Sequence, residues 1–325
     1  MAAKKASKKT AKKKATRKIQ AYAFIDTNIF LDFYRASEAT LGLLEKLEQV
    51  RDRIICTYQV EMEFLKNRQA EICRIANQAN LNLTASLPAA LADTQLSSSV
   101  RSARKDLQSK QKKLDQNLLK LLRNPNEDRV FQVLEKVFRS DSDHVLTRDM
   151  EEEKARIKRL ARRRFQLGYP PRKSGDTSMG DAFNWEWIVH CATKLKGRII
   201  IVSRDSDFGT EYKKEYFLND QLMKEFRERV GRKSLLYTQK LSEALDELKV
   251  RVTKQERETE AREIAQPSVH DTVRKMVERR LSLESEFARA NPNLESQTEE
   301  VARRIRENQK RLAALLSSIQ TLSDD

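Results

Sequence analysis

The sequence predicts an α/β protein with a mainly parallel central sheet. Short apolar runs alternate with helical patterns in residues 20–80, and again from Asp181 onward, as βαβ units require. The 325 residues include only 7 Gly and 6 Pro, too few for an all-β or loop-rich architecture. A hydrophobic share of 39% and a charged share of 34% suit a real core beneath much solvated helix.

Ala21–Ile25 reads as a buried strand, short and apolar, ended by Asp26-Thr27-Asn28. Residues 29–50 read as helix, with Leu31, Leu43, Leu44, Leu47 and Val50 at apolar positions, and Arg53–Cys56 as a second strand. A helix from Tyr58 to about Asn80 turns Val60, Phe64 and Leu65 inward. The alternation then stops, and residues 81–165 offer no strand candidate. They read as a helical insertion, with Leu107, Leu114, Leu118 and Leu121 on a heptad-like seam flanked by cations.

From Asp181 the α/β pattern resumes. An apolar helix carrying Trp185 and Trp187, more suited to the core than to stacking, leads to the strand Arg198–Val202. A helix over Asn219–Val230 follows, with Asn219 or Asp220 as N-cap. Ser234–Tyr237 reads as the last strand and Ser242–Leu248 as the last helix of this part. The predicted organisation is a basic tail at 1–19, an α/β domain in two parts at 20–80 and 166–250, the insertion at 81–165 and a C-terminal helical region at 251–325. In that last region Val301, Ile305, Leu312, Leu315 and Ile319 form an apolar stripe suited to packing back, to a partner helix or to a homo-oligomer.

Composition narrows the function. No apolar stretch approaches the ~20 residues a membrane span needs, and no apolar segment follows the basic N-terminus, so neither a membrane nor a secretory protein is expected. Cys56, Cys73 and Cys191 are odd in number and widely spaced, which fits buried small hydrophobes in a reducing cytoplasm. The scattered His144, His190 and His270 argue against a His-based triad or a zinc hydrolase. The net charge is +16, and nine Lys and Arg with no acid lie in residues 1–19. Such a tail suits phosphate backbones bound without sequence readout.

Four acids stand out: Asp26 after the first strand, Glu63 on the next helix, Asp181 opening a helix after Gly180, and Asp205 after the strand ending at Val202. Acids at strand ends and helix starts can converge at one edge of an α/β sheet. Hydrolysing a phosphodiester needs an activated water and neutralised phosphoryl oxygens, which Mg²⁺ or Mn²⁺ held by carboxylates can supply. Taken singly the acids have plainer roles: Asp26 and Asp181 as N-caps, Asp205 and Asp207 as turn formers, Glu63 as an exposed helix residue. Ahead of Asp181, Arg162, Arg163, Arg164, Arg172 and Lys173 form a basic cluster suited to steering a phosphate polymer toward the acids.

Asp26-Thr27-Asn28, Val60-x-x-Glu63-Phe64, Gly180-Asp181 and Ser203-x-Asp205-x-Asp207-Phe208 resemble, in order and in element type, the PIN-domain nucleases. The segment Gly168-Tyr169-Pro170-Pro171 with Gly180-Asp181-Ala182-x-x-Trp185 looks like a subgroup of larger bacterial PIN-like proteins. The resemblance covers about 21–80 and 166–248. It implies a three-layer α/β/α fold and Mg²⁺- or Mn²⁺-dependent endonuclease cleavage, usually of RNA. By position, Asp26, Glu63, Asp181 and Asp205 become metal ligands and catalytic acids, Asp207 a further ligand, Asn28 the group orienting Asp26, and Ser203 the support of Asp205. Glu61 is the rival of Glu63. A nucleic-acid-binding scaffold with an unused site, or a structure-specific DNA nuclease, are the alternatives.

Overall fold

A computed structural model of the chain describes residues 20–79, 95–172, 178–231 and 234–265. The strands are β1 (Gln20–Ile25), β2 (Ile54–Thr57), β3 (Val145–Leu146), β4 (Gly197–Val202), β5 (Gly209–Tyr212), β6 (Glu215–Leu218) and β7 (Leu235–Thr238). Five form a wholly parallel sheet in the order β3-β2-β1-β4-β7, while β5 and β6 form a separate antiparallel pair. Ala23, Phe24, Ile25, Ile54, Ile55 and Ile199 to Val202 are all buried. Such unbroken apolar runs, rather than alternating ones, mark a parallel sheet covered on both faces.

The cover comes from α1 (Thr27–Asp32), α2 (Glu38–Glu48), α3 (Tyr58–Ala79), α4 (Gln95–Arg123), α5 (Arg129–Phe138), α6 (Glu151–Gln166), α7 (Gly180–Lys194), α8 (Asp220–Val230), α9 (Leu241–Glu247) and α10 (Lys254–Ala265). Helix α2 packs with α5, α9 and α10, and α7 packs with α3, α6 and α8. The result is a three-layer α/β/α sandwich. Trp185 and Trp187 on α7 are fully buried core.

Chain order decides where a ligand can bind. The path starts in mid-sheet at β1, moves outward through β2 and β3, then returns to the other side of β1 as β4 and continues to β7. The direction therefore reverses between β1 and β4. In open α/β sheets the crevice beyond the carboxyl ends of the two strands at such a reversal is the usual ligand site. Here β1 and β4 pair in register from Gln20–Gly197 to Ile25–Val202, so the residues that follow each strand emerge side by side.

The structure revises the sequence reading in several places. The single helix over 29–50 is two, because the chain turns between α1 and α2. The stretch 81–165 is not wholly an insertion. It supplies the edge strand β3, too short to show a period, and helices α5 and α6, whose Val133, Leu134, Val137, Phe138, Ile157 and Ala161 enter the main core. Only α4 behaves as an arm: Ser97 is its one buried residue, and Leu107 and Leu114 stay exposed. The β5–β6 hairpin has no counterpart in the sequence reading, since each strand is only four residues long and its one apolar run, Tyr216-Phe217-Leu218, is too short to show a period. The N-cap Asn219 does accept bonds from Gln221 N at 3.0 Å and Leu222 N at 3.4 Å. Residues 1–19, Lys173 and the stripe from Val301 to Ile319 lie outside the described residues.

Candidate active site

Asp26 is the first residue past β1, and its N–H donates to Val202 O at the end of β4 over 2.9 Å. That bond closes the β1–β4 ladder and fixes the Asp26 backbone at the reversal point. Its side chain is 5% exposed and fully engaged. Oδ1 accepts from Thr27 N at 2.7 Å and caps α1. Oδ2 accepts from Asn28 Nδ2 at 3.0 Å and from Ser203 Oγ at 2.6 Å. Both the capping role and the buried carboxylate are thus present in one residue.

Ser203 works in two directions, since its Oγ also accepts from Asp205 N at 3.0 Å. The loop beyond β4 is tightened further by Asp207 N, which donates to Asp205 Oδ1 at 3.2 Å in an Asx-type turn. Behind it Tyr237 OH donates to Ser203 O at 3.1 Å. Burial, with the Asp205 and Asp26 charges adding to it, pushes the Tyr237 phenol up to about 12.

Glu63 approaches from α3. Its Oε2 accepts from Thr27 Oγ1 at 3.2 Å and its Oε1 from Gln59 Nε2 at 2.9 Å. On the far side it lies against the first residue of α7: a Cβ built on Gly180 would fall 2.3 Å from Glu63 Oε1. A side chain at 180 would occupy the carboxylate's place, which accounts for the glycine ahead of Asp181. Asp181 sits half-buried in the first turn of α7, where Met179 is the N-cap. Glu61, two residues away on α3, exerts its charge instead on buried Cys56.

Burial pushes the Asp26 carboxyl up to about 6 against the pull of the Ser203 bond, with the charges of Asp205 and Glu63 adding to the rise. Three acids from three elements therefore share one electrostatic environment. The sequence model of the PIN domain family matches residues 23–208 of this chain. The chain belongs to the PIN domain family. PIN domains are in general nucleases that use divalent metals, and the matched span runs from β1 to the loop carrying Asp205 and Asp207. No curated protein and no solved structure matches the chain.

In this PIN domain the donors at the edge are carboxylates and an amide, a hard oxygen set of the kind that suits a divalent metal. Asn28 adds a buried Oδ1 with no hydrogen-bond partner, an acceptor left over once its Nδ2 has bonded Asp26. Among the described residues no three His, Cys, Asp or Glu groups stand close enough to hold one ion between them. Asp26, Glu63 and Asp205 share the crevice without converging on a point.

The basic cluster divides. Arg162 and Arg163 are exposed on α6. Arg164, one residue on, is buried. Its Nε donates to Glu186 Oε1 at 3.0 Å, its other nitrogens reach Glu225 and Pro170 O, and Arg229 Nη2 closes the network on Glu186 Oε2 at 2.7 Å. This network ties α6, α7 and α8 together, so Arg164 is a core ion-pair residue and not a nucleic-acid contact. The exposed Arg172 stacks on Phe165, its Cζ 4.4 Å from the ring centre.

Proposed function

We propose that this PIN domain is a Mg²⁺- or Mn²⁺-dependent endonuclease that hydrolyses phosphodiester bonds in RNA. One observation carries the reading: Asp26, Glu63 and Asp205 gather at the sheet's reversal point closely enough for the other two charges to raise Asp26. Confined like charges of this kind are tolerable when a dication neutralises them. Asp26, Glu63, Asp181 and Asp205 would hold the ion, with Asp207 as a further ligand. When bound, the ion supplies an activated water and neutralises charge on the phosphoryl oxygens. Asn28 and Ser203 hold Asp26 in place, and Ser203 also sets the turn that aims Asp205. Arg162, Arg163 and Arg172 would draw in the phosphate backbone. The preference for RNA over DNA rests on the motif resemblance. The buried free thiols of Cys56 and Cys191 are consistent with a reducing cytoplasm.

A second reading has its own support: three acids do not converge among the described residues, as in a nucleic-acid-binding scaffold whose site is unused. One assay separates them. The full chain and its Asp26→Asn and Asp181→Asn variants are incubated with single-stranded RNA and DNA in Mn²⁺, Mg²⁺ or EDTA. The nuclease cuts RNA with either ion, and cleavage is lost in EDTA and in both variants. Cutting that survives both sinks the metal site, binding without cutting under every condition leaves the scaffold, and cutting of DNA alone replaces the substrate.

A further inference from the structure

The β5–β6 hairpin begins at Gly209, directly after the loop that carries Asp205 and Asp207. A Cβ on Gly209 would fall 2.5 Å from Tyr237 Cε1 and 2.3 Å from Phe217 O. The hairpin base is therefore pressed onto Tyr237, the residue whose hydroxyl bonds Ser203 O. Tyr212, the last strand residue before the tip, is three residues from Gly209, about 10 Å at strand rise. The exposed end of the hairpin is thus tied by a short span of chain to the loop that carries Asp205 and Asp207.

The two faces of the hairpin differ. Register places Gly209 opposite Leu218 and Glu211 opposite Tyr216 on one face, and Thr210 opposite Phe217 and Tyr212 opposite Glu215 on the other. The first face turns inward, with Gly209 and Leu218 buried and Tyr216 packed against the core. The second presents two aromatic rings to solvent, Tyr212 at 64% exposed and Phe217 at 46%. They are diagonal neighbours, and the other side chains of that face are Thr210 and Glu215, so no aliphatic group accompanies them.

The turn adds a second observation. Lys213 and Lys214 have φ of 50° and 66°. Positive φ at both central positions is the two-residue turn that favours Asn-Gly, because other side chains are strained there. Two lysines hold this tip in place of the residues the backbone prefers. Lys213 Nζ stands 5.3 Å from the Tyr212 ring centre, beside the exposed aromatic face.

We propose that the outer face of this hairpin is a stacking platform for single-stranded nucleic acid, with Tyr212 and Phe217 receiving bases and Lys213 and Lys214 receiving phosphates. The proposal rests on the reading that the acid edge acts on a nucleic-acid strand, and it names the form of that strand. Paired bases hide their faces in the stack, so a platform of rings selects unpaired ones. The lysines are offset by Glu211 and Glu215 within the hairpin, so stacking supplies most of the affinity there.

The test uses the full chain carrying Asp26→Asn, in EDTA, with labelled oligo(U) and oligo(dT) of roughly twelve nucleotides and a duplex RNA of equal length, read by fluorescence anisotropy. Tyr212→Leu with Phe217→Leu keeps apolar bulk and removes the rings. It is expected to raise Kd for both single strands about tenfold, leaving duplex affinity and the salt slope unchanged. Tyr212→Phe binds as the parent does. Lys213→Asn with Lys214→Gly installs the preferred turn, so Tm holds or rises while single-strand affinity falls and the salt slope drops by about 1.4. The platform is overturned by parent affinity in the Leu variant, by equal losses on duplex and single strands, or by a parent that binds neither single strand. Cleavage by the otherwise wild-type chain is scored separately. A chain that never cuts but loses single-strand binding with its rings fails as a nuclease and keeps the platform. A chain that cuts, with binding indifferent to the rings, does the reverse.

Discussion

Asp26 and Asp205 follow strands, whereas Glu63 and Asp181 ride on helices, and of the four only Asp26 is buried, the other three being half-buried. Asp26 is buried, bonded by Thr27 N, Asn28 and Ser203, and anchored by a backbone bond into the β1–β4 ladder. Glu63 and Asp181 are half-buried, and the Glu63 carboxylate takes its place from α3 and α7 packing side by side rather than from a shared ladder. The β1–β4 register fixes the backbone that carries Asp26, whereas the longer Glu63 side chain reaches the crevice from a helix. The strand half suits holding a charge permanently, and the helix half suits closing on an ion or a phosphate when one arrives.

That contrast is most exposed at Asp26. Asp26→Asn is expected to lower the cleavage rate by more than about a hundredfold, since even residues behind a metal ligand cost ten to a hundredfold. The loss should persist at any Mn²⁺ concentration, with circular dichroism unchanged. Recovery of activity in excess Mn²⁺ would mean that the strand half is no more fixed than the helix half.

Asp26 should also leave its mark on stability without metal. Its folded pKa of about 6 lies above the ordinary 3.8, so between those values the folded chain binds more protons than the unfolded one. Stability from this group is full at low pH and is lost as pH rises through about 6. Two units correspond to on the order of 3 kcal/mol of destabilisation at neutral pH. In EDTA, the Tm of Asp26→Asn relative to wild type should therefore climb by several degrees between pH 4 and pH 7. A Tm difference that stays constant over that range would show that Asp26 titrates normally.

The strand half was the more legible in sequence, for a physical reason. A short apolar run ending in Asp-Thr-Asn, and another ending in Ser-Arg-Asp, announce their strands locally, and parallel pairing then leaves little choice about where Asp26 and Ser203 emerge. That Ser203 bonds the Asp26 side chain across 177 positions depends on β1–β4 register, which no local pattern contains. The same limit applies to α6. Arg162, Arg163 and Arg164 read as one basic run, but a helix advances about 100° per residue and carries the third onto the buried Glu186. The hairpin stayed hidden because Tyr212 and Phe217 serve no core, and burial is what gives a strand its readable alternation.

On the helix half, Asp181→Asn should cost about ten to a hundredfold at low Mn²⁺ and recover substantially as the ion is raised, because a side chain drawn in by the metal contributes mainly to its affinity. Rates measured across a Mn²⁺ titration give the answer. Loss as deep and as metal-independent as that of Asp26→Asn would erase the distinction between the halves.

Gly180→Ala is the smallest of these changes and isolates Glu63. The new methyl would lie 2.3 Å from Glu63 Oε1 and 3.2 Å from Gln59 Nε2, both ends of flexible side chains, so each can swing aside with the backbone left in place. Alanine is the better helix former by up to about 1 kcal/mol, so Tm should hold or rise slightly. The carboxylate, however, loses its seat between Thr27, Gln59 and α7, and cleavage should fall about tenfold. Stability and activity moving in opposite directions is the informative outcome, because a packing defect moves both downward. Full activity in Gly180→Ala would mean that Glu63 finds its working position from elsewhere, and that the helix half is set by the arriving ion and substrate alone.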